Sequence, residues 1–320
     1  MRVVLIVQCS YPKTGRPASS WTSGSKRGVQ FSRVKGCEMQ ERKNVVLLFS
    51  KLPEVGLVKT RLSVLKDGLF PPETACELYE CMLRDVVEII GTALADLEAE
   101  AAASGGEVRD TYELVISTAP AANAQPMREL FAEGEWPVRP TVIVDEGANF
   151  DEHYNHAFAQ CWDAGADCIL SMGADMPALT KADIRFGFEQ LHRLCAMPGG
   201  GIVLAPDQEM GVSVIGWTRE TDFSHDGVFY CQDGLTVLPA YIKKARAAGL
   251  PALWLPPIPD VDTMQDFVHN VTLVHALNYC ADYDDICPPH RTAEKLIELG
   301  FREIIVAPNN LLDPRDHIDK

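Results

Sequence analysis

Lys59, Thr60 and Arg61 follow an apolar run, Asn44–Phe49, with Pro53 and Gly56 between. Free backbone N–H groups, a glycine and two cations just past a strand make a phosphate-cradling loop. It is not a Walker A loop, because one glycine precedes the Lys-Thr pair, and it is not a G-x-G-x-x-G dinucleotide fingerprint. Taken alone, a solvated basic turn explains it as well as a phosphate site does. Asp175 lies between Gly173 and Pro177, directly behind another apolar run. A carboxylate there suits a divalent ion, since Mg²⁺ takes one or two carboxylates plus substrate phosphates, and it equally suits a turn cap. Asp260 and Asp262 in PDVDT form a second acidic pair past a strand, where Asp262 is either a ligand or the cap of the helix beginning near Thr263 and Asp266. Glu152, His153 and His156 lack the H-E-x-x-H order of a zinc helix and read as a polar helix face. His225 and Asp226 lie in a polar loop. No Ser or Cys has nucleophile-elbow flanks, so covalent hydrolysis has no support.

These groups need a frame. Apolar runs at Asn44–Phe49, Glu113–Ser117, Pro140–Val144, Cys168–Met172, Gly201–Ala205, Val212–Trp217 and Ala252–Leu255 read as strands. Helical spacing predicts helices over Pro72–Ala95, around Met127–Phe131, and over Phe150–Ala164, Thr180–Leu194, Leu238–Ala248, Asp260 to about Tyr279 and Thr292–Leu299. Thr180 with Asp183 makes a capping-box pattern, and Ala99–Arg109 reads as a linker. Such alternation predicts an α/β protein with a mostly parallel central sheet and helices on both faces, a three-layer α/β/α Rossmann-like arrangement. Ligands of such sheets bind at the carboxyl ends of the strands, where the Lys59 loop, Asp175 and Asp260 all fall.

Composition narrows the chemistry. The 320 residues carry a net charge of −16. Residues 1–43 hold nine Lys and Arg against two Glu, so the remainder has 20 basic against 43 acidic residues, a balance of −23. A body that acidic is poorly suited to nucleic acid, and an anionic substrate must be met by a few placed cations or a metal. No apolar run is long enough for a membrane span. The ten cysteines include no C-x-x-C pair and read as reduced thiols of a cytoplasmic protein. Residues 1–43 are expected to be a basic, disordered extension, with Met39 the favoured true start over a targeting segment. The main domain is expected over 44–270, with 271–320 a helical extension on the same core that ends in a strand-like EIIVA.

Four ordered motifs carry a resemblance: F-S-K-x-P-x-x-G-x-V-K-T-R-L at Phe49–Leu62, G-A-D-M-P-A-L-T at Gly173–Thr180, A-P-x-x-x-x-G at Ala205–Gly211 and D-V-D-T-x-x-D at Asp260–Asp266. Over about Asn44–Asn270 the chain resembles the glycosyltransferase-like family once catalogued as a domain of unknown function, the arsenosugar-biosynthesis-type glycosyltransferases. Related proteins are the nucleotide-diphospho-sugar transferases of the GT-A fold, guanylyltransferases among them. The resemblance implies a site for a nucleotide sugar or nucleoside triphosphate and a small-molecule acceptor. It implies Gly56, Lys59, Arg61, His153, Glu209 and Gly211 as substrate-binding residues, Asp175 and Lys59 as catalytic ones, and Asp175, Asp260 and Asp262 as ligands of Mg²⁺ or Mn²⁺. The chain departs from the pattern twice. Glu209-Met210-Gly211 stands where the family has an acidic residue and paired glycines, so a Met side chain is expected to narrow the approach to a ligand. His153 stands about where the family has an Arg.

Metal-assisted glycosyl transfer from a nucleoside-diphosphate sugar is the reading we favour. Nucleotidyl transfer with release of pyrophosphate is the alternative, disfavoured by the absence of a G-x-S-x-R-like first loop. A nucleotide-binding homologue without turnover is the third.

Overall fold

The computed structural model describes residues 40–104 and 108–302. The expected disorder of the N-terminal arm up to residue 39 and the strand-like EIIVA at 303–307 lie outside the described residues. Seven strands, β1 Gln40–Phe49, β2 Val108–Thr118, β3 Thr141–Val144, β4 Cys168–Gly173, β5 Ile202–Pro206, β6 Val212–Thr218 and β7 Ala252–Trp254, form one sheet in the order β3-β2-β1-β4-β6-β5-β7. Every pairing is parallel except those of β6, which runs antiparallel to both β4 and β5. The five residues between β5 and β6 are too few for a parallel crossover, so that pair closes as a hairpin.

The side-chain period of two divides β1 between both faces of the sheet. Val46 and Leu48 pack under α1 (Pro72–Ser104) and α4 (Lys181–Cys195). Val45 and Leu47 pack under α3 (Phe150–Asp163) and α5 (Val237–Ala248). Both faces are thus covered, as a buried parallel sheet requires. The short α2 spans Ala124–Leu130. A further cluster joins α1 to α6 (Met264–Cys280) and α7 (His290–Glu298) through Leu78, Met82, Phe267, Val271 and Leu296.

Two expected boundaries move. β1 begins at Gln40, inside the segment read as a disordered extension, and pairs Gln40–Lys43 with Val108–Thr111. Polar contacts hold that end: Arg42 donates to both Asp110 carboxylate oxygens at 2.6 and 2.8 Å, and the Lys43 N–H donates to Asp167 at 2.8 Å. The linker expected over Ala99–Arg109 is mostly regular structure, because the Ala- and Glu-rich run to Ser104 is strongly helix-forming and continues α1.

Asp85, buried on α1, anchors α7. Its oxygens accept from the N–H groups of Arg291 and Thr292, at 3.2 and 2.7 Å, and from the Arg291 guanidinium at 3.1 Å. Donors at a helix N-terminus lack intrahelical partners, and here a carboxylate from a distant helix supplies the acceptor. Asp85→Ala leaves those N–H groups unmatched and the Arg291 guanidinium with Glu88 alone, and is expected to cost about 3 kcal/mol, read as a shift of the urea midpoint at constant slope. A loss under about 0.5 kcal/mol would show that this anchor is dispensable.

Candidate functional site

The carboxyl ends of β1 to β4 open into one cavity of about 850 Å³. Lys59 reaches it from a strained position, with φ of 44° in the left-handed region, after Gly56 at 76°. Its side chain is 6% exposed, and its ammonium donates to Asp175 Oδ2 at 2.5 Å and to Asp262 Oδ1 at 3.3 Å. Burial works to deprotonate it, but the Asp175 and Asp262 charges outweigh burial and hold its pKa above the ordinary lysine value. Arg61, 62% exposed, donates to Asp262 Oδ2 at 3.2 Å.

Three chain segments therefore converge. Asp175 sits just past β4, where a Cβ on Gly173 would lie 2.7 Å from its Oδ1, so only glycine leaves the carboxylate room. The Asp175 carbonyl accepts from the Val261 N–H at 3.0 Å, tying that turn to the acidic segment before α6. The N-cap of α6 is Thr263, in a capping box with Asp266, which leaves the Asp262 carboxylate for Lys59 and Arg61. Asp260 accepts from Gln208 Nε2 at 2.9 Å. Burial, reinforced by the Asp175 and Asp262 charges, pushes its carboxyl up to about 7.

The opposite wall holds residues that the sequence reading left out. Asp145, at the end of β3, accepts from Ser117 Oγ at 2.6 Å and from His153 Nδ1 at 2.5 Å. This fixes the His153 ring and leaves Nε2 as its lone-pair side. Tyr154 stacks on Phe49 with centroids 3.7 Å apart. Asp151 accepts from the Gly227 and Phe229 N–H groups, both at 2.9 Å, and so holds the loop that brings Phe229 and Tyr230 to the cavity. Thr118 Oγ1 and Ser171 Oγ are buried, line the cavity and have no partner in the protein. Buried hydroxyls are rarely left so. Asp145 was visible in the sequence as an acid at a strand end, the same signal that marked Asp175.

Lys59, Arg61, Asp175, Asp260, Asp262 and His153 all line the cavity. Gly56, Glu209 and Gly211 are not among its lining residues. The 207–211 turn is held internally, with Asp207 Oδ1 accepting from the Glu209 and Gly211 N–H groups at 2.6 and 2.7 Å. A Cβ at Gly211 would lie 1.9 Å from Asp207 Oδ2, which accounts for that glycine without a ligand. Met210 takes the left-handed conformation, φ 66°, and its side chain is 62% exposed. The expected narrowing by Met210 is therefore not seen. His156 Nδ1 accepts from the Glu146 N–H at 2.8 Å and Glu152 from the Ala148 N–H at 2.8 Å, so both serve the helix start.

Among the described residues, one acid-rich group brings ligand atoms within 4.8 Å of one another: Asp85, Glu88 and His290. Arg291 donates to both acids, so a protein cation already sits on this group. Asp175, Asp260 and Asp262 are not brought to that spacing.

The chain is similar to the crystal structure of a "putative nucleotide-diphospho-sugar transferase" from Desulfovibrio desulfuricans G20, at 24% identity over 80% of this chain and 95% of that one, with a TM-score of 0.59. This chain shares the fold of that protein. Residues 107–232 match the family described as "Uncharacterized protein conserved in bacteria (DUF2064)". Looser likenesses run to 4-diphosphocytidyl-2C-methyl-D-erythritol synthase from Anaerococcus prevotii DSM 20548 (7% identity, 71% and 94% of the two chains, TM-score 0.37) and to CMP:2-keto-3-deoxy-manno-octonic acid synthetase complexed with CTP (12%, 74% and 99%, 0.39). No curated protein matches the sequence. The expected three-layer α/β fold is borne out, and no helix among the described residues is long and apolar enough to cross a membrane.

Behind the aromatic wall lies His225, fully buried, with Nδ1 paired to the Tyr241 hydroxyl at 2.7 Å and Nε2 without a partner. Burial, helped by Lys244, pulls its pKa down to about 3. A histidine whose folded pKa lies below its unfolded value of 6.5 binds its proton more tightly when unfolded, so its contribution is complete above pH 6.5 and is lost as pH falls toward 3. Per proton the slope is about 1.4 kcal/mol per pH unit. His225→Gln, though less stable at neutral pH, is expected to lose that slope between pH 6 and 4 in urea titrations. Parallel stability curves for the two proteins would contradict the assignment.

Proposed function

We propose that this chain is a metal-dependent transferase acting on a nucleotide-activated donor, and that it moves a sugar from a nucleoside diphosphate to a small-molecule acceptor. The observation that carries the reading is one buried ammonium shared between carboxylates from two segments, beside a third carboxylate, at the ligand-binding edge of a parallel sheet. The oxygen-only donor set suits a hard divalent ion. Burial, with the Asp175 and Asp262 charges added to it, holds the Asp260 carboxyl up to about 7. Asp175, Asp260 and Asp262 would hold Mg²⁺ or Mn²⁺, which when bound neutralises negative charge developing on the leaving phosphates.

The chain's own groups do the rest. Lys59 and Arg61 are the cations for the phosphate oxygens, and both already point at the carboxylates they would share with a ligand. His153, with Nδ1–H engaged by Asp145, offers Nε2 to a ligand O–H or N–H. Phe49, Tyr154, Phe229 and Tyr230 give that side of the cavity an aromatic wall beside Asp145 and His153. Lys59 and Arg61, as preorganised donors, act on charge that develops in the transition state, while Asp175 would act through the ion it holds.

Incubation with labelled nucleoside-diphosphate sugars and Mg²⁺ or Mn²⁺ is expected to release the nucleoside diphosphate. Asp175→Asn and Lys59→Met are each expected to lower the rate by about 100-fold or more, whereas Glu209→Ala, outside the cavity lining, stays within about twofold. Release of pyrophosphate from a triphosphate would replace this reading with nucleotidyl transfer. Absence of both products, with nucleotide binding retained, would leave a binding protein.

A further inference from the structure

At the amino-terminal edge of the sheet, away from the cavity, two thiols meet. Cys168 opens β4 and is fully buried, and Cys195 ends α4 and is exposed. Their sulfur atoms are 3.4 Å apart, in van der Waals contact across 27 residues of sequence. The two are not equivalent. Cys168, out of water and beside the second sulfur, is pushed up, while the Cys168 contact and then Arg42 pull Cys195 down against the opposing effect of its own burial. The charged groups facing them are Arg42 of β1, already paired with Asp110, and Asp167 at the start of β4. An exposed sulfur of thiolate character backed by a second, sheltered thiol is the arrangement in which oxidation stops at a disulfide.

We propose that Cys195 and Cys168 are a reversible oxidation site for hydroperoxides, with Cys195 the attacking sulfur and Cys168 the resolving one. The Cys195 thiolate forms an S–O bond as the peroxide O–O bond breaks, giving a sulfenic acid and hydroxide (an alkoxide from an alkyl hydroperoxide), which takes up the proton the Cys195 thiol released and leaves as water or alcohol. The Cys168 sulfur then attacks that sulfur, the S–OH bond breaks, and hydroxide leaves with the Cys168 proton as water. The two thiols lose two electrons and the peroxide gains them. The disulfide closes a loop, 168–195, that contains Asp175 and all of α4, so it ties the strand carrying Asp175 to the helix behind it. Because the pair lies outside the cavity, this inference stands whether or not the proposed transfer reaction is the right one.

The test is peptide mapping of the full-length protein after graded hydrogen peroxide, with free thiols blocked before and after reduction. The expected result is a Cys168–Cys195 linked peptide formed at lower peroxide than is needed to modify the exposed Cys280, reversed by dithiothreitol and accompanied by a higher thermal midpoint. Cys168→Ser is expected to leave Cys195 trapped as a dimedone adduct. Should that variant fail to fold, Cys195→Ser, changed at an exposed position, is expected to keep Cys168 alkylatable and to show no peroxide-dependent rise in midpoint. Oxidation of Cys280 before Cys195 would overturn the proposal. So would conversion of Cys195 to sulfinic acid with Cys168 still reduced, or preferential linkage of Cys195 to another cysteine.

Discussion

The buried ammonium of Lys59 is the interaction on which the cavity depends. It lies between Asp175 and Asp262, 116 and 203 residues away in sequence, and is itself only 6% exposed. Removing a lysine and its carboxylate partners from water costs several kcal/mol per ion before their attraction is counted, and the left-handed backbone at Lys59 adds a further strain. A fold selected for stability alone would place apolar groups there. Without the ammonium, Asp175, Asp260 and Asp262 would face one another with little to offset their repulsion, and the Asp260 carboxyl is already pushed up to about 7 with it present.

That constraint explains why the surrounding chain is built as it is. The carboxyl ends of β1, β2, β3 and β4 face one way because these strands are parallel, so the Lys59 loop, Ser117, Asp145 and Asp175 arrive at one edge without further design. β6 is antiparallel, and its amino-terminal residues Val212 and Ser213 therefore reach that edge as well. The segment before α6 is pinned there by the Val261 N–H on the Asp175 carbonyl, and Gln208 ties the β5–β6 turn to Asp260. The carboxylates are thus held by backbone contacts, which a change of ligand would leave in place.

Much of this was legible in the sequence. Strands ending in Lys, Arg or Asp beside glycine and proline marked Lys59, Asp175 and Asp260, because a buried parallel strand is an unbroken apolar run whose end is conspicuous. The Asp145–Ser117–His153 set was not legible as a unit. Asp145 and Ser117 are joined across neighbouring strands, and no local spacing records that contact. Glu209 and Gly211, read as ligand contacts, lie outside the cavity lining for the opposite reason. The turn has a local purpose, holding the Asp207 carboxylate on two N–H groups, and a glycine demanded by that geometry looks in sequence like one demanded by a ligand. The strand at Gln40–Lys43 was hidden by its polarity, since its partners Asp110 and Asp167 are distant in the chain.

The two edges of the sheet differ in how their charges are matched. At the amino-terminal edge Arg42 meets Asp110 through two hydrogen bonds, Asn44 donates to the same carboxylate, and His192 Nε2 meets Asn44 Oδ1 at 2.9 Å. There, burial and Arg42 pull the His192 pKa down to about 4, so the ring stays neutral and the cluster is satisfied by protein groups. At the carboxyl edge three carboxylates share a buried lysine and a largely exposed Arg61, and two buried hydroxyls have no protein partner. Internal matching is what structure alone requires. Of the two edges, the one whose carboxylates outnumber their cations is the one that opens into the cavity, and a cavity with a few convergent polar groups is where a ligand would bind.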